Sequence, residues 1–149
     1  MSAIVPPLRS PREILGGYVI LPRLIDKVRL HACGELPAEY FPQLLGPELT
    51  LDGRFLAFTG LHREALRAAI LAAPDDAAVL TWVEHYATPH PNDEKRAWAA
   101  AIDAYRPDLE RVARRAKAYP TVAARVDVGA ISVFDLIDLD EGRIDRPAR

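Results

Sequence analysis

Hydrophobic positions recur along this chain mostly at three- and four-residue intervals, the spacing of a helix face rather than the alternation of a strand. The densest case is Gly16-Gly17-Tyr18-Val19-Ile20-Leu21-Pro22-Arg23-Leu24-Ile25-Asp26-Lys27-Val28-Arg29. Two glycines allow the backbone to reverse. Pro22 suits a first helical turn, where its missing N–H is no loss. Leu21, Leu24, Ile25 and Val28 then form one apolar stripe, and Gly34 offers a left-handed stop. A start at Tyr18 would instead place Pro22 inside the helix and bend it, and the pattern leaves both starts open. Further along, Leu66, Ala69 and Ile70 fall on one face of a helix over 64–72. Val79, Trp82, Val83 and Tyr86 do so after an Asp75 cap. Trp98, Ala101, Ile102 and Tyr105 follow an Asn92 cap, and Leu109, Val112, Ala113 and Ala116 follow Pro107. Ser132 with Asp135 three residues on forms a capping box for a last helix that runs to Gly142.

The connections are read from turn chemistry. The first nine residues, with two prolines, read as an arm. Ser10-Pro11-Arg12-Glu13 reads as a capping box opening a short helix that the two glycines close. Residues 35–47 hold three prolines and read as loop with a turn of helix near Tyr40. For Leu49 to Phe55, Asp52 as the cap of a helix ending at Gly60 is preferred to a hairpin around Asp52-Gly53, because the flanking strands would be very short. The tail from 143 to 149 reads as frayed. The expectation is an all-α, single compact multi-helix domain over 1–149 with short loops and no sheet.

Composition narrows the function classes. A 149-residue chain with formal net charge −2 lacks the basic excess of a nucleic-acid binder. No apolar run reaches the roughly 18 residues of a membrane helix, and the N-terminus lacks the layout of a signal peptide. The single cysteine, Cys33, excludes an internal disulfide framework and fits a reducing, cytoplasmic setting. Ala- and Arg-rich usage suggests a GC-rich bacterial genome. Phosphate loops, a serine nucleophile elbow, His-Glu-x-x-His and Cys-x-x-Cys are all missing, so no cofactor and no metal is expected.

Two polar clusters remain. Arg23 and Lys27 share one face of the Gly16–Arg29 stretch, with Asp26 beside them and Tyr18 before them. Arg offers a planar fork for a carboxylate or phosphate. Asp26 could orient a ligand amine, and Lys27 could act as base or nucleophile if its pKa were depressed. Tyr18, Arg23, Asp26 and Lys27 are therefore the candidate site for a small polar or anionic ligand. The bland reading is a solvated or salt-bridged helix face. In the last helix, Asp135, Asp138 and Glu141 fall at i, i+3 and i+6 with Asp140 near by, three like charges on one face toward a negative helix end. Their balancing charge could be Arg143 and Arg146, solvent, the Arg23/Lys27 face that these carboxylates would brace, or a cation. The cation reading is weak, because the spacing differs from a calcium loop. His31 and Cys33 point to different faces, and Cys33 reads as a small buried hydrophobe. Trp82 and Trp98 read as core before ligand stackers.

Leu15-Gly16-Gly17-Tyr18, followed by Leu21-Pro22-Arg23-Leu24-Ile25-Asp26-Lys27, resembles the N-terminal signature of a bacterial family of small proteins of unknown function. Phe134-Asp135-Leu136-Ile137-Asp138-Leu139-Asp140-Glu141-Gly142-Arg143 is similar to that family's C-terminal ending. Phe55-Leu56-Ala57-Phe58-Thr59-Gly60 and Val79-Leu80-Thr81-Trp82-Val83 look like its middle. The resemblance runs from about Ser10 to Arg143. It implies a shared fold and carries no activity. Two functions stay open. One is ligand binding at a cleft beside the Gly16–Arg29 stretch, with or without cofactor-independent catalysis. The other is a non-catalytic interaction or homodimerisation module whose charges form a structural ion network.

Overall fold

The structure, a computed structural model, describes residues 7–47 and 49–148. It is predominantly helical. A short antiparallel hairpin, β1 (Ile14–Leu15) and β2 (Tyr18–Val19), precedes α1 (Leu21–Ala32). A 3-10 helix (Ala38–Gln43) leads to α2 (Leu51–Thr59), α3 (Arg63–Ala72) and α4 (Asp76–Tyr86). Then come α5 (Asn92–Ala104), α6 (Leu109–Ala118), α7 (Pro120–Ala123) and α8 (Val133–Asp140). The backbone clusters into two compact units, one within Pro6–Lys95 and the other within Arg96–Arg149.

The hairpin corrects two expectations, the absence of any sheet and the helix opened by Ser10. Ser10 does cap, but it closes a turn: its Oγ accepts from the Arg12 N–H and its carbonyl from the Glu13 N–H. Too few residues separate Ser10 from the glycines for a helical nucleus to repay its cost. Gly16 and Gly17 both take positive φ (59° and 85°), the two-residue loop whose twist suits a hairpin, with Ile14 opposite Val19 and Leu15 opposite Tyr18. Gly16 also lies against Leu80, where a Cβ would come within 2.4 Å of a methyl carbon.

Of the two possible starts for the next helix, the structure takes Leu21, so Pro22 lies in the first turn. The residue before it, Ile20, is held at φ 75° and is almost wholly buried. That backbone region is costly for a β-branched residue. It is imposed by the hairpin exit, where the Ile20 N–H donates to the Pro11 carbonyl. Leu21, Leu24, Ile25 and Val28 are fully buried, and α1 packs on α3, α2 and β1. Leu66 and Ile70 of α3 and Val79 and Val83 of α4 are buried as their spacing predicts.

Several local readings change. The cap of α2 is Thr50, which accepts from the Gly53 N–H; Asp52 lies inside the first turn and is buried. Of the expected arm, residues 1–6 lie outside the described residues, while Leu8 is buried and Arg9 is tied into the fold. Cys33 is exposed, Tyr86 is 62% exposed and Leu109 is 89% exposed. Leu109 directly follows the Asp108 cap, ahead of the inward-facing stripe.

The second unit has its own core of Val122, Val128, Ile131, Leu136 and Leu139, with Val112, Ala116, Tyr119 and Ile144 packed against it. Ser132 caps α8 as predicted, accepting from the Phe134 N–H. The expected frayed tail is docked as far as Ala148, whose N–H donates to Asp135 at 2.9 Å; Arg149 lies outside the described residues.

Candidate functional site

The candidate residues on α1 diverge within one helical turn. Lys27 turns inward. Its Nζ lies 2.8 Å from Asp52 Oδ1, and the two side chains are only 4% and 1% exposed. The other Asp52 oxygen accepts from the Leu45 N–H at 2.9 Å. Leu45 is itself at φ 49°, so the two non-glycine residues of positive φ among those described flank this ion pair. Ile20 launches the helix that carries the lysine, and Leu45 offers its amide to the aspartate. Such conformations cost about 1–3 kcal/mol each and persist only where surrounding packing over-determines them.

Asp26 turns toward Arg9. The Arg9 backbone N–H, Nε and Nη2 all donate to its carboxylate at 2.8–3.0 Å, while Arg9 Nη1 donates to Asp76 at 2.6 Å. Arg29 lies 3.5 Å from the other Asp76 oxygen. The two carboxylates hold the Arg9 guanidinium even more firmly protonated than usual, the Asp26 hydrogen bond first and that of Asp76 next, against the opposing effect of burial.

Arg23 is 5% exposed. One of its guanidinium nitrogens donates to the Arg9 carbonyl at 3.1 Å, and its central carbon lies 5.9 Å from the ring centre of the buried Tyr40. Arg23 and Asp26 thus meet through Arg9, and Lys27 joins a neighbouring pair.

Tyr18 has different neighbours. Its ring meets Phe55 edge-on at 5.4 Å and Phe58 at 6.3 Å. Lys95 covers it, Nζ 4.1 Å from the ring centre, while donating to the Gly16 carbonyl at 2.8 Å. Burial pushes the phenol pKa up, and Glu84 adds to that, so the hydroxyl stays neutral.

The carboxylates of α8, with Asp140 among them, are all buried. Within their own unit, Arg143 reaches both Asp138, at 3.0 Å, and Glu141. Arg146 lies against Asp145 instead. Among the described residues, no three His, Cys, Asp or Glu side chains are grouped as a metal would need.

Sequence reasoning missed Arg9, Tyr40, Asp52, Asp76 and Lys95. Arg9 was hidden by the prolines around it. Asp52 was mistaken for the cap although Thr50, three residues before Gly53, fits that role equally well. Lys95 stands among exposed charged residues of α5 and carries no local signal at all.

The chain belongs to the family described as Domain of unknown function (DUF5069), which matches residues 5–143. No curated protein matches it.

Proposed function

We propose that this DUF5069 domain binds a small anionic ligand, a carboxylate or a phosphate, at the basic face of α1. Arg23 supplies the positive charge that meets the ligand, Lys27 anchors the helix beneath it through Asp52, and Asp26 sets the helix against Arg9. Tyr18 acts through the hairpin that leads into α1. One observation carries the reading: two cations one turn apart on the same helix are each about 95% buried. Side chains of this type are rarely buried, and desolvating each costs several kcal/mol. An apolar pair of similar volume would serve a purely structural helix as well or better. Retaining two buried cations beside two strained backbone positions fits a place kept for charge recognition.

A second reading has its own support. Both oxygens of Asp52 are satisfied by groups of the fold, as expected of an ion network that serves structure alone. In that case the domain acts through its outer surfaces, as an interaction module.

Thermal unfolding in the presence of inorganic phosphate and of citrate separates the two. A ligand at 100 times its dissociation constant adds about 2.7 kcal/mol. The ligand reading expects such a shift in the native chain and its loss in Arg23→Met. A native chain that does not respond to any anion, with Arg23→Met strongly destabilised, would leave the network reading standing.

A further inference from the structure

His90 lies between α4 and α5, and its two ring nitrogens meet two acceptors. Nδ1 is 2.8 Å from Glu94 Oε1, and Nε2 is 2.8 Å from the backbone carbonyl of Phe58. The imidazole also lies flat on the Phe58 ring, centres 3.9 Å apart and planes 10° from parallel. A carbonyl oxygen can only accept, and so can an ionised carboxylate. A neutral imidazole has one N–H, so it would satisfy one of these oxygens and turn a lone pair on the other. An imidazolium donates to both.

We infer that His90 is a proton-operated clamp, closed as the imidazolium, which fastens the start of α5 to the end of α2 and so steadies Lys95 against the Gly16-Gly17 turn. The neighbouring contacts form a continuous path. Two residues before His90, the Thr88 N–H donates to the Thr59 carbonyl at 2.8 Å. Glu94, which holds Nδ1, directly precedes Lys95. Lys95 in turn holds the Gly16 carbonyl and covers Tyr18. Release of the proton therefore loosens the segment that secures the hairpin leading into α1.

The groups that face the ring pull in both directions, and the balance favours the proton. On α5, Glu94 favours the proton and Lys95 opposes it; on α2, the Phe58 carbonyl favours it. The net effect raises the His90 pKa above its ordinary value, with the Glu94 hydrogen bond the largest cause and the Phe58 carbonyl second, against burial. A histidine raised on folding contributes stability in full below its unfolded pKa, about 6.5. That contribution is lost as pH rises through the folded value.

The test is histidine-ring NMR on the full chain from pH 5 to 9, with amide hydrogen exchange at Thr88 and thermal unfolding over the same range. His90, assigned by the signal missing in His90→Gln, is expected to titrate above the ordinary histidine value of about 6.5. The protection of the Thr88 amide, taken relative to the intrinsic base-catalysed exchange rate at each pH, is expected to fall, and the unfolding midpoint with it, across that same titration. Glu94→Gln keeps the histidine and should lower its titration midpoint, which decides the matter even if His90→Gln folds poorly. Titration of His90 at or below the ordinary histidine value, a midpoint unmoved by Glu94→Gln, or Thr88 protection indifferent to the titration would each overturn the clamp.

Discussion

Replacing Lys27 by Met keeps most of the stem's volume and deletes the ammonium that lies 2.8 Å from Asp52. The Asp52 carboxylate, 1% exposed, is then charged in a site that excludes water. Removing one partner of a buried pair costs about 3–5 kcal/mol, against about 0–1 kcal/mol for an exposed one. For a chain of this length each kcal/mol lowers the unfolding midpoint by about 2–4 °C, so the loss is about 6–20 °C. Urea unfolding of Lys27→Met, Asp52→Asn and the double variant measures it. Asp52→Asn retains an oxygen for the Leu45 N–H while removing the negative charge. The double variant carries neither charge and should recover part of the combined loss, with a coupling of about 1–3 kcal/mol. A loss under about 1 kcal/mol, or strict additivity in the cycle, would refute the claim that this pair acts as a buried unit.

Two glycine experiments follow from the packing. Gly53→Ala places a better helix former in α2, worth about 1 kcal/mol in an open helix. Here the new Cβ would meet the Pro47 carbonyl oxygen at 2.0 Å, a backbone atom with little freedom to yield. Overpacking of this kind costs about 1–3 kcal/mol, so urea unfolding should show net destabilisation; a more stable variant would refute the packing. Gly16→Ala and Gly34→Ala both force alanine to positive φ, about 1–2 kcal/mol each. Only Gly16 is also crowded, by Leu80, so its midpoint should fall further than that of Gly34→Ala, which opens into free space. Equal losses would mean the turn is not packed as described.

The amphipathic helices were legible because a helix stripe and its caps are local. Pro22 marked the first turn of α1, and Asp75 and Ser132 marked the starts of α4 and α8, where their side chains accept from Ala78 and Phe134. The charged cluster was half legible. Arg23, Asp26 and Lys27 stood out as polar residues on a strongly apolar helix, and their divergence was hidden. Asp26 is engaged by Arg9, 17 residues earlier, and Lys27 by Asp52, 25 residues later. No periodicity encodes such pairings. Tyr18 shows the same limit, since its covering residue, Lys95, belongs to a helix whose surroundings in sequence are polar and exposed. The hairpin was misjudged for a different reason. Four residues of strand are too few for an alternating pattern, and the Ser-x-x-Glu spacing that signals a helix cap also suits a turn.

The Lys95–Gly16 bond joins groups 79 residues apart in the chain, which bears on how the protein is made. When the hairpin has been synthesised, the ammonium that closes its turn has not. At about 5–20 residues per second, the turn waits roughly 4–16 s for Lys95. During that interval the Gly16 carbonyl faces water and Tyr18 lacks its cover, so the nascent N-terminal segment stays provisional until α5 begins to emerge. A chain truncated before residue 95 carries every residue of α1 and still lacks the group that secures the approach to it.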